Sequence, residues 1–206
     1  MNQQPSTQDY LMQQREKVAA SPDCAITRYN YAVALLAQNR FEEAERELLE
    51  AVSCSPSLAE AFVLLGGIRM HFNDINGCLE YNQRATQARP RFAEGYGNIG
   101  FAHLQLGNVD EAITALEKAV SFNPKFLQAY TNLGNAYLMK GMVDKSIETN
   151  YKVLEMEPAF AVAHNNLTIA FLEKGDKVKA AEHCRQAESM GFEVAPQIKK
   201  EIGENR

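Results

Sequence analysis

Prolines recur at Pro22, Pro56, Pro90, Pro124 and Pro158, evenly spaced along the chain, and the segments between them repeat one pattern of small, apolar and polar types. A fixed period is the mark of one supersecondary unit stacked on copies of itself, and a period of about 34 residues suits a helix-turn-helix unit. The chain is therefore expected to be an array, not one globule. Its function should lie on a repeated surface rather than in a single cleft.

With each proline set at position 32 of its unit, complete repeats begin at Ala25, Ala59, Ala93, Leu127 and Ala161. This register tests itself. Position 8 reads Ala32, Gly66, Gly100, Gly134 and Thr168; position 20 reads Ala44, Cys78, Ala112, Ser146 and Ala180; position 27 reads Ala51, Ala85, Ala119, Val153 and Ala187. Small residues at fixed places let two helix backbones approach closely, and the larger apolar residues of position 7 (Tyr31, Leu65, Ile99, Leu133, Leu167) fill the space beside them. Each unit thus reads as two antiparallel helices, A over roughly positions 1 to 14 and B over roughly 16 to 28. The turn between them is marked by Asn73-Asp74, Gly107-Asn108, Gly141 and Gly175-Asp176, residues that close one helix and cap the next. Glu42-Glu43, Asp110-Glu111 and Asp144 follow at the positive end of helix B.

The pattern resembles the tetratricopeptide repeat over residues 25 to about 192. The third unit (Tyr96, Ile99, Gly100, Ala112, Leu116, Ala119, Pro124) and the fourth (Tyr130, Leu133, Gly134, Tyr137, Ser146, Pro158) carry it most clearly. The signature Trp is absent, with Phe62, Tyr96 and Tyr130 in its place. The second unit departs most, placing Arg69 and Asn82 where large apolar residues are usual, so a looser interface is expected there. The resemblance implies an all-α, right-handed α-solenoid. Its expected divisions are a disordered start and N-terminal capping helix over 1–24, repeats over 25–58, 59–92, 93–126, 127–160 and 161–192, and a C-terminal capping helix over 193–206. Within the first segment MNQQPS is expected to be disordered, and Leu11, Gln14, Arg15 and Val18 to form the capping face. At the other end Val194, Ile198 and Ile202 recur every four residues.

Composition narrows the function classes. Apolar residues make up 46% and charged residues 23%, in keeping with a folded soluble protein, and no run of about 18 apolar residues exists. The N-terminus lacks a basic, hydrophobic leader pattern, so a cytoplasmic location with no membrane partner is expected. A formal charge of −5 argues against nucleic acid, because phosphate neutralisation needs clustered Lys and Arg. Cys24, Cys54, Cys78 and Cys184 form no paired motif and read as reduced structural thiols, with Cys78 and Cys184 on the interhelical core. His103 and His164 fall at packing positions, His71 and His183 read as isolated, and no metal site follows from their spacing. No phosphate loop, nucleophile elbow or cofactor motif occurs, so neither catalysis nor a cofactor is expected.

In the repeat family, positions 2, 5, 6, 9, 12 and 13 of helix A commonly face a concave groove. Position 6 reads Asn30, Leu64, Asn98, Asn132 and Asn166, and Asn135 follows at position 9 of the fourth unit. Asn is a mediocre helix former, so its recurrence needs another cause. A carboxamide offers a donor and an acceptor together, matching the N–H and C=O of an extended peptide. The other reading is that these amides bond to neighbouring helices or descend from one ancestral unit. The resemblance favours the first, since similar ladders in such arrays hold the backbone of bound chains. Each bond contributes only about 0.5 to 1.5 kcal/mol, so several must act together. Tyr29, Phe101, Gln105 and Met139 add apolar and polar groove surface, and Gly67 and Gly97 suggest space for a ligand side chain. The expected partner is another protein, bound through an extended segment to a monomeric, noncatalytic adaptor. A self-assembling scaffold is the alternative. A clamp for chaperone C-terminal tails is disfavoured, because positions 2 and 5 supply none of the lysines it requires.

Overall fold

The computed structural model describes residues 7–203, so the MNQQPS start and the last three residues lie outside it. Twelve α-helices and no strand occur among the described residues. After α1 (Thr7–Ala20) come five A/B pairs: α2 (Ala25–Leu36) with α3 (Phe41–Cys54), α4 (Ala59–His71) with α5 (Ile75–Ala88), α6 (Ala93–Gln105) with α7 (Val109–Phe122), α8 (Leu127–Met139) with α9 (Val143–Met156), and α10 (Ala161–Glu173) with α11 (Lys177–Ser189). The final helix is α12 (Pro196–Ile202). The chain forms two compact units, one ending at Asn98 and the next beginning at Ile99, so that α6 contributes to both.

Each A helix ends by position 13, a little earlier than its periodicity predicts, and each B helix starts at position 17. The cause is one residue. Position 15 takes a left-handed conformation in every repeat, at Asn39 (φ 56°), Asn73 (φ 59°), Gly107 (φ 75°), Gly141 (φ 72°) and Gly175 (φ 77°). Glycine adopts it without steric cost and Asn is the side-chain-bearing residue that tolerates it best. At the next position Asp74 and Asp176 accept hydrogen bonds from the backbone N–H of Gly77 (2.8 Å) and Lys179 (3.1 Å), capping α5 and α11.

In the first unit α1 packs on α2, α2 on α3, α3 on α4 and α4 on α5. Ala32, Leu35, Ala44, Leu48, Phe62, Leu65 and Ile68 form its continuous buried core, with Leu11 of α1 packed against it. In the second unit the same succession runs from α7 to α12. Ile198 and Ile202 of α12 pack on Cys184, Ala187 and Val194, and Ile202 also reaches the Leu167/Phe171/Ala180 cluster. The helix that carries them starts at Pro196 rather than 193, because proline lacks the N–H that would be unsatisfied at a first helical position.

Positions 8 and 24 share one slot, and their volumes compensate. A Cβ on Gly66 would lie 2.3 Å from Asn82 Nδ2, one on Gly100 2.4 Å from Leu116 Cγ, and one on Gly134 2.5 Å from Asn150 Nδ2. Glycine at position 8 thus leaves room for the large position-24 residue in these three repeats, whereas the first repeat fits Ala32 beside Leu48, both fully buried. The last repeat reverses the arrangement, pairing Thr168 with the smaller Cys184, both fully buried. Close packing requires such exchange of volume within a slot.

Candidate functional site

The position-6 residues are divided by their surroundings. Leu64 is half-buried and packs against the apolar core that contains Leu48, the position-24 residue of the preceding repeat. Asn98 stands in the same relation to Asn82. The Asn98 Nδ2 donates to Asn82 Oδ1 at 3.0 Å, and Asn82 Nδ2 in turn donates to the Cys78 backbone carbonyl at 2.8 Å. Asn82 is 0% exposed. The arrangement recurs in the second unit, where Asn166 Nδ2 donates to Asn150 Oδ1 at 3.2 Å and Asn150 Nδ2 donates to the Ser146 carbonyl at 2.9 Å. Ser146 Oγ donates onward to the Gly134 carbonyl at 2.8 Å.

These bonds revise the expectation of a loose second repeat. Asn82 replaces a large apolar residue, yet its amide is satisfied on both sides, which removes the penalty of burying it. Arg69, the other departure, forms an ion pair with Glu45 of the preceding repeat. The amides of Asn98 and Asn166 are therefore bonded to a neighbouring helix.

Asn132 differs, because position 24 of its predecessor is Leu116 and offers no amide. Its Oδ1 accepts from Gln128 Nε2 of the same helix at 3.2 Å, and it remains half-buried. Asn135 and Met139 continue the same face of α8, both exposed, Met139 by 51%. Asn135 Nδ2 reaches only the Met139 sulfur, at 3.9 Å. Gln128, Asn132, Asn135 and Met139 thus form one open stripe at helical spacing. Among the remaining candidates of this unit, Phe101 is half-buried and Gln105 exposed.

In the first unit Asn30 and Tyr29 are half-buried on α2. Burial, assisted by the Glu60 carboxylate, pushes the Tyr29 phenol above its usual pKa. Glu60, at position 2 of α4, accepts from Arg89 Nη2 at 2.7 Å through Oε1, while its Oε2 is buried with no hydrogen-bond partner among the described residues. Gly67 is exposed, and a Cβ there would meet nothing within 4 Å; Gly97 is buried.

The histidines correct the sequence reading in one respect. His183 is not isolated: His164 Nδ1 and His183 Nδ1 lie 2.9 Å apart, Tyr151 Oη is 3.3 Å from His183 Nε2, and the His183 ring stacks on Phe171 with centroids 5.6 Å apart. Folding α10 against α11 brings position 4 of one opposite position 23 of the other. Burial, and then the neighbouring His164, holds the His183 pKa below the usual imidazole range. His71 likewise has a partner, stacking on Phe41 at 3.8 Å. No group of three or more His, Cys, Asp or Glu suited to a metal ion occurs among the described residues, and no helix there is long and apolar enough to cross a membrane.

Helix pairs repeating at a constant period, with a small residue at position 8 and a left-handed turn at position 15, define a helical repeat protein of a recognisable class. Tetratricopeptide repeat models match residues 15–59, 102–141 and 127–160. The chain belongs to the tetratricopeptide repeat family. No curated protein sequence matches it. Among solved structures it is similar to YrrB, a TPR protein with an unusual peptide-binding site, at 20% identity and a TM-score of 0.75, covering 93% of this chain and 98% of that one. It is also similar to MamA from Desulfovibrio magneticus RS-1, at 24% identity and a TM-score of 0.72, covering 81% and 94%. PilF of Pseudomonas aeruginosa gives 17% identity and a TM-score of 0.76, covering 87% and 85%. At these identities the likeness establishes the fold; the general role in protein–protein interaction goes with the tetratricopeptide repeat family.

Proposed function

We propose that this chain is a noncatalytic adaptor that holds an extended segment of another protein along its A helices. The observation that carries this reading is the stripe on α8. Asn132 and Asn135 lack the core amide partner that accounts for Asn98 and Asn166, yet they stand beside a half-exposed methionine on a face that packing leaves open. Polar groups with an unfilled hydrogen-bond valence next to apolar surface suit a peptide main chain flanked by its side chains. Phe101 and Gln105 extend this surface within the second unit, and Asn30 and Tyr29 provide a comparable one on α2 of the first. Gly67, with open space above its Cα, gives room for a ligand side chain. The reading has the chain act as a cytoplasmic monomer with a protein partner rather than nucleic acid or membrane.

Fluorescence anisotropy tests it. Labelled peptides selected from a random extended-peptide display library on the wild-type protein are titrated against Asn132→Ala/Asn135→Ala. Loss of two such contacts is expected to weaken binding by roughly 5- to 160-fold, with thermal stability changed little because neither residue is core. Equal affinity with equal stability would remove the α8 stripe from the site.

A further inference from the structure

The buried asparagines Asn82 and Asn150 stand one layer behind the groove and were not among its candidate residues. We infer that they are positioning residues of the peptide site, each forcing the amide of the following repeat to present its carbonyl oxygen to the groove. This inference rests on the peptide-binding reading above. The polarity follows from the backbone. A main-chain carbonyl only accepts, so the Cys78 carbonyl obliges Asn82 to turn its Nδ2 inward, which leaves Asn82 Oδ1 facing Asn98. Asn98 must then meet it with Nδ2, and the group left on the groove side is Asn98 Oδ1. A rotation of either amide by half a turn would set donor against donor or acceptor against acceptor. The Cys78 sulfur, 3.5 Å from Asn82 Nδ2, strengthens the same orientation.

In the second unit Ser146 carbonyl, Asn150 and Asn166 repeat the relay in the same sense, with Ser146 Oγ 3.2 Å from Asn150 Nδ2. Asn166 is only 6% exposed, whereas Asn98 is half-buried, so the acceptor is the more accessible at Asn98. Asn132, bonded only to the Gln128 side chain, has no backbone carbonyl to fix it. Each unit thus holds an acceptor of fixed sense, Asn98 in the first and Asn166 in the second, and the second adds an adaptable amide at Asn132. The segment that binds must supply a main-chain N–H at the Asn98 site. It is an extended chain with that N–H free, not one carrying proline there, since proline has no N–H to give.

The test uses ester analogues of a peptide selected on the wild-type protein, each replacing one main-chain N–H by oxygen. In wild type, the ester at the residue that meets Asn98 should weaken binding by roughly 2- to 13-fold. In Asn82→Leu, which places at position 24 the residue found as Leu48 and Leu116, the Asn98 amide is free to turn and that penalty should fall to less than about 2-fold, the bottom of the same range. Esters at other positions should behave as before. If Asn82→Leu fails to fold, Asn82→Ala takes its place in the comparison. An ester profile identical in wild type and Asn82→Leu overturns the inference while leaving peptide binding intact. Failure of every library peptide to bind the wild-type protein overturns the peptide-binding reading and the inference with it.

Discussion

The two junctions within the first unit use the same helical frame and opposite chemistry. Between the first and second repeats, Leu48 and Leu64 belong to one apolar core; between the second and third, Asn82 and Asn98 occupy the same two positions and hydrogen-bond to each other. The first junction is held by area removed from water, tolerant of small shifts. The second depends on direction, since an amide pair is favourable only in one relative orientation and leaves a costly orphan if either member is lost. A repeat array can therefore vary a junction from adhesive to directional by exchanging two residues without altering its backbone.

The comparison can be broken first at its apolar member. Leu48 is fully buried, and Leu48→Ala should cost about 2 to 5 kcal/mol, the transfer term plus a cavity. Hydrogen exchange should show the loss concentrated in α2 to α4, because contacts in such arrays are local. Uniform loosening of every helix would contradict the local picture.

Adjacent glycines sharpen the slot argument by responding with opposite sign. Gly66→Ala drives a methyl into Asn82 and should destabilise by about 1 to 3 kcal/mol. Gly67→Ala meets nothing within 4 Å and should stabilise by up to about 1 kcal/mol through helix propensity. Urea unfolding of the two variants reads the difference. Equal effects would mean that position 8 is not the confined one.

A smaller effect separates the second unit from the first, which has no counterpart of the histidine pair. Because the folded-state pKa of His183 is lowered, the unfolded chain protonates first as pH falls. The stability that this group supports is present above the unfolded imidazole pKa of about 6.5 and is lost below it. The facing Nδ1 atoms of His164 and His183 act in the same sense, since both cannot carry a proton at 2.9 Å. Glu182 opposes the shift and Lys179 reinforces it, with Tyr151 the remaining titratable neighbour. Thermal melts between pH 7.5 and 5 should show wild type losing stability on acidification and His183→Gln losing less. A variant that tracks wild type over this range would show that the pair does not titrate on unfolding.

Much of the fold was legible because its determinants are periodic in one dimension. The prolines fixed the phase, and Asn73, Gly107, Gly141 and Gly175 marked four of the turns; the fifth, at Asn39, was not read, although it stands at the same position 15. The amide pairs were not read, although a signal existed. Positions 20 and 24 alternate over two repeats, Ala44 and Leu48 against Cys78 and Asn82, then Ala112 and Leu116 against Ser146 and Asn150. A search at the single-repeat period averages this doubled period away. What no spacing could supply is the sense of each amide, set by a carbonyl four residues before Asn82 or Asn150 in the preceding helix, or the meeting of His164 with His183 across a hairpin. Asn98 and Asn166 therefore looked like groove residues, when their amides join neighbouring helices.

The most direct test of directional coupling is a double-mutant cycle on Asn82 and Asn98, read by urea unfolding together with hydrogen exchange of α5 and α6. Asn82→Leu and Asn98→Leu should each cost about 1 to 3 kcal/mol by leaving the other amide unsatisfied. The double variant, which rebuilds the Leu48/Leu64 junction, should recover most of the loss. Strictly additive costs would show that the two amides are independent and would contradict the account.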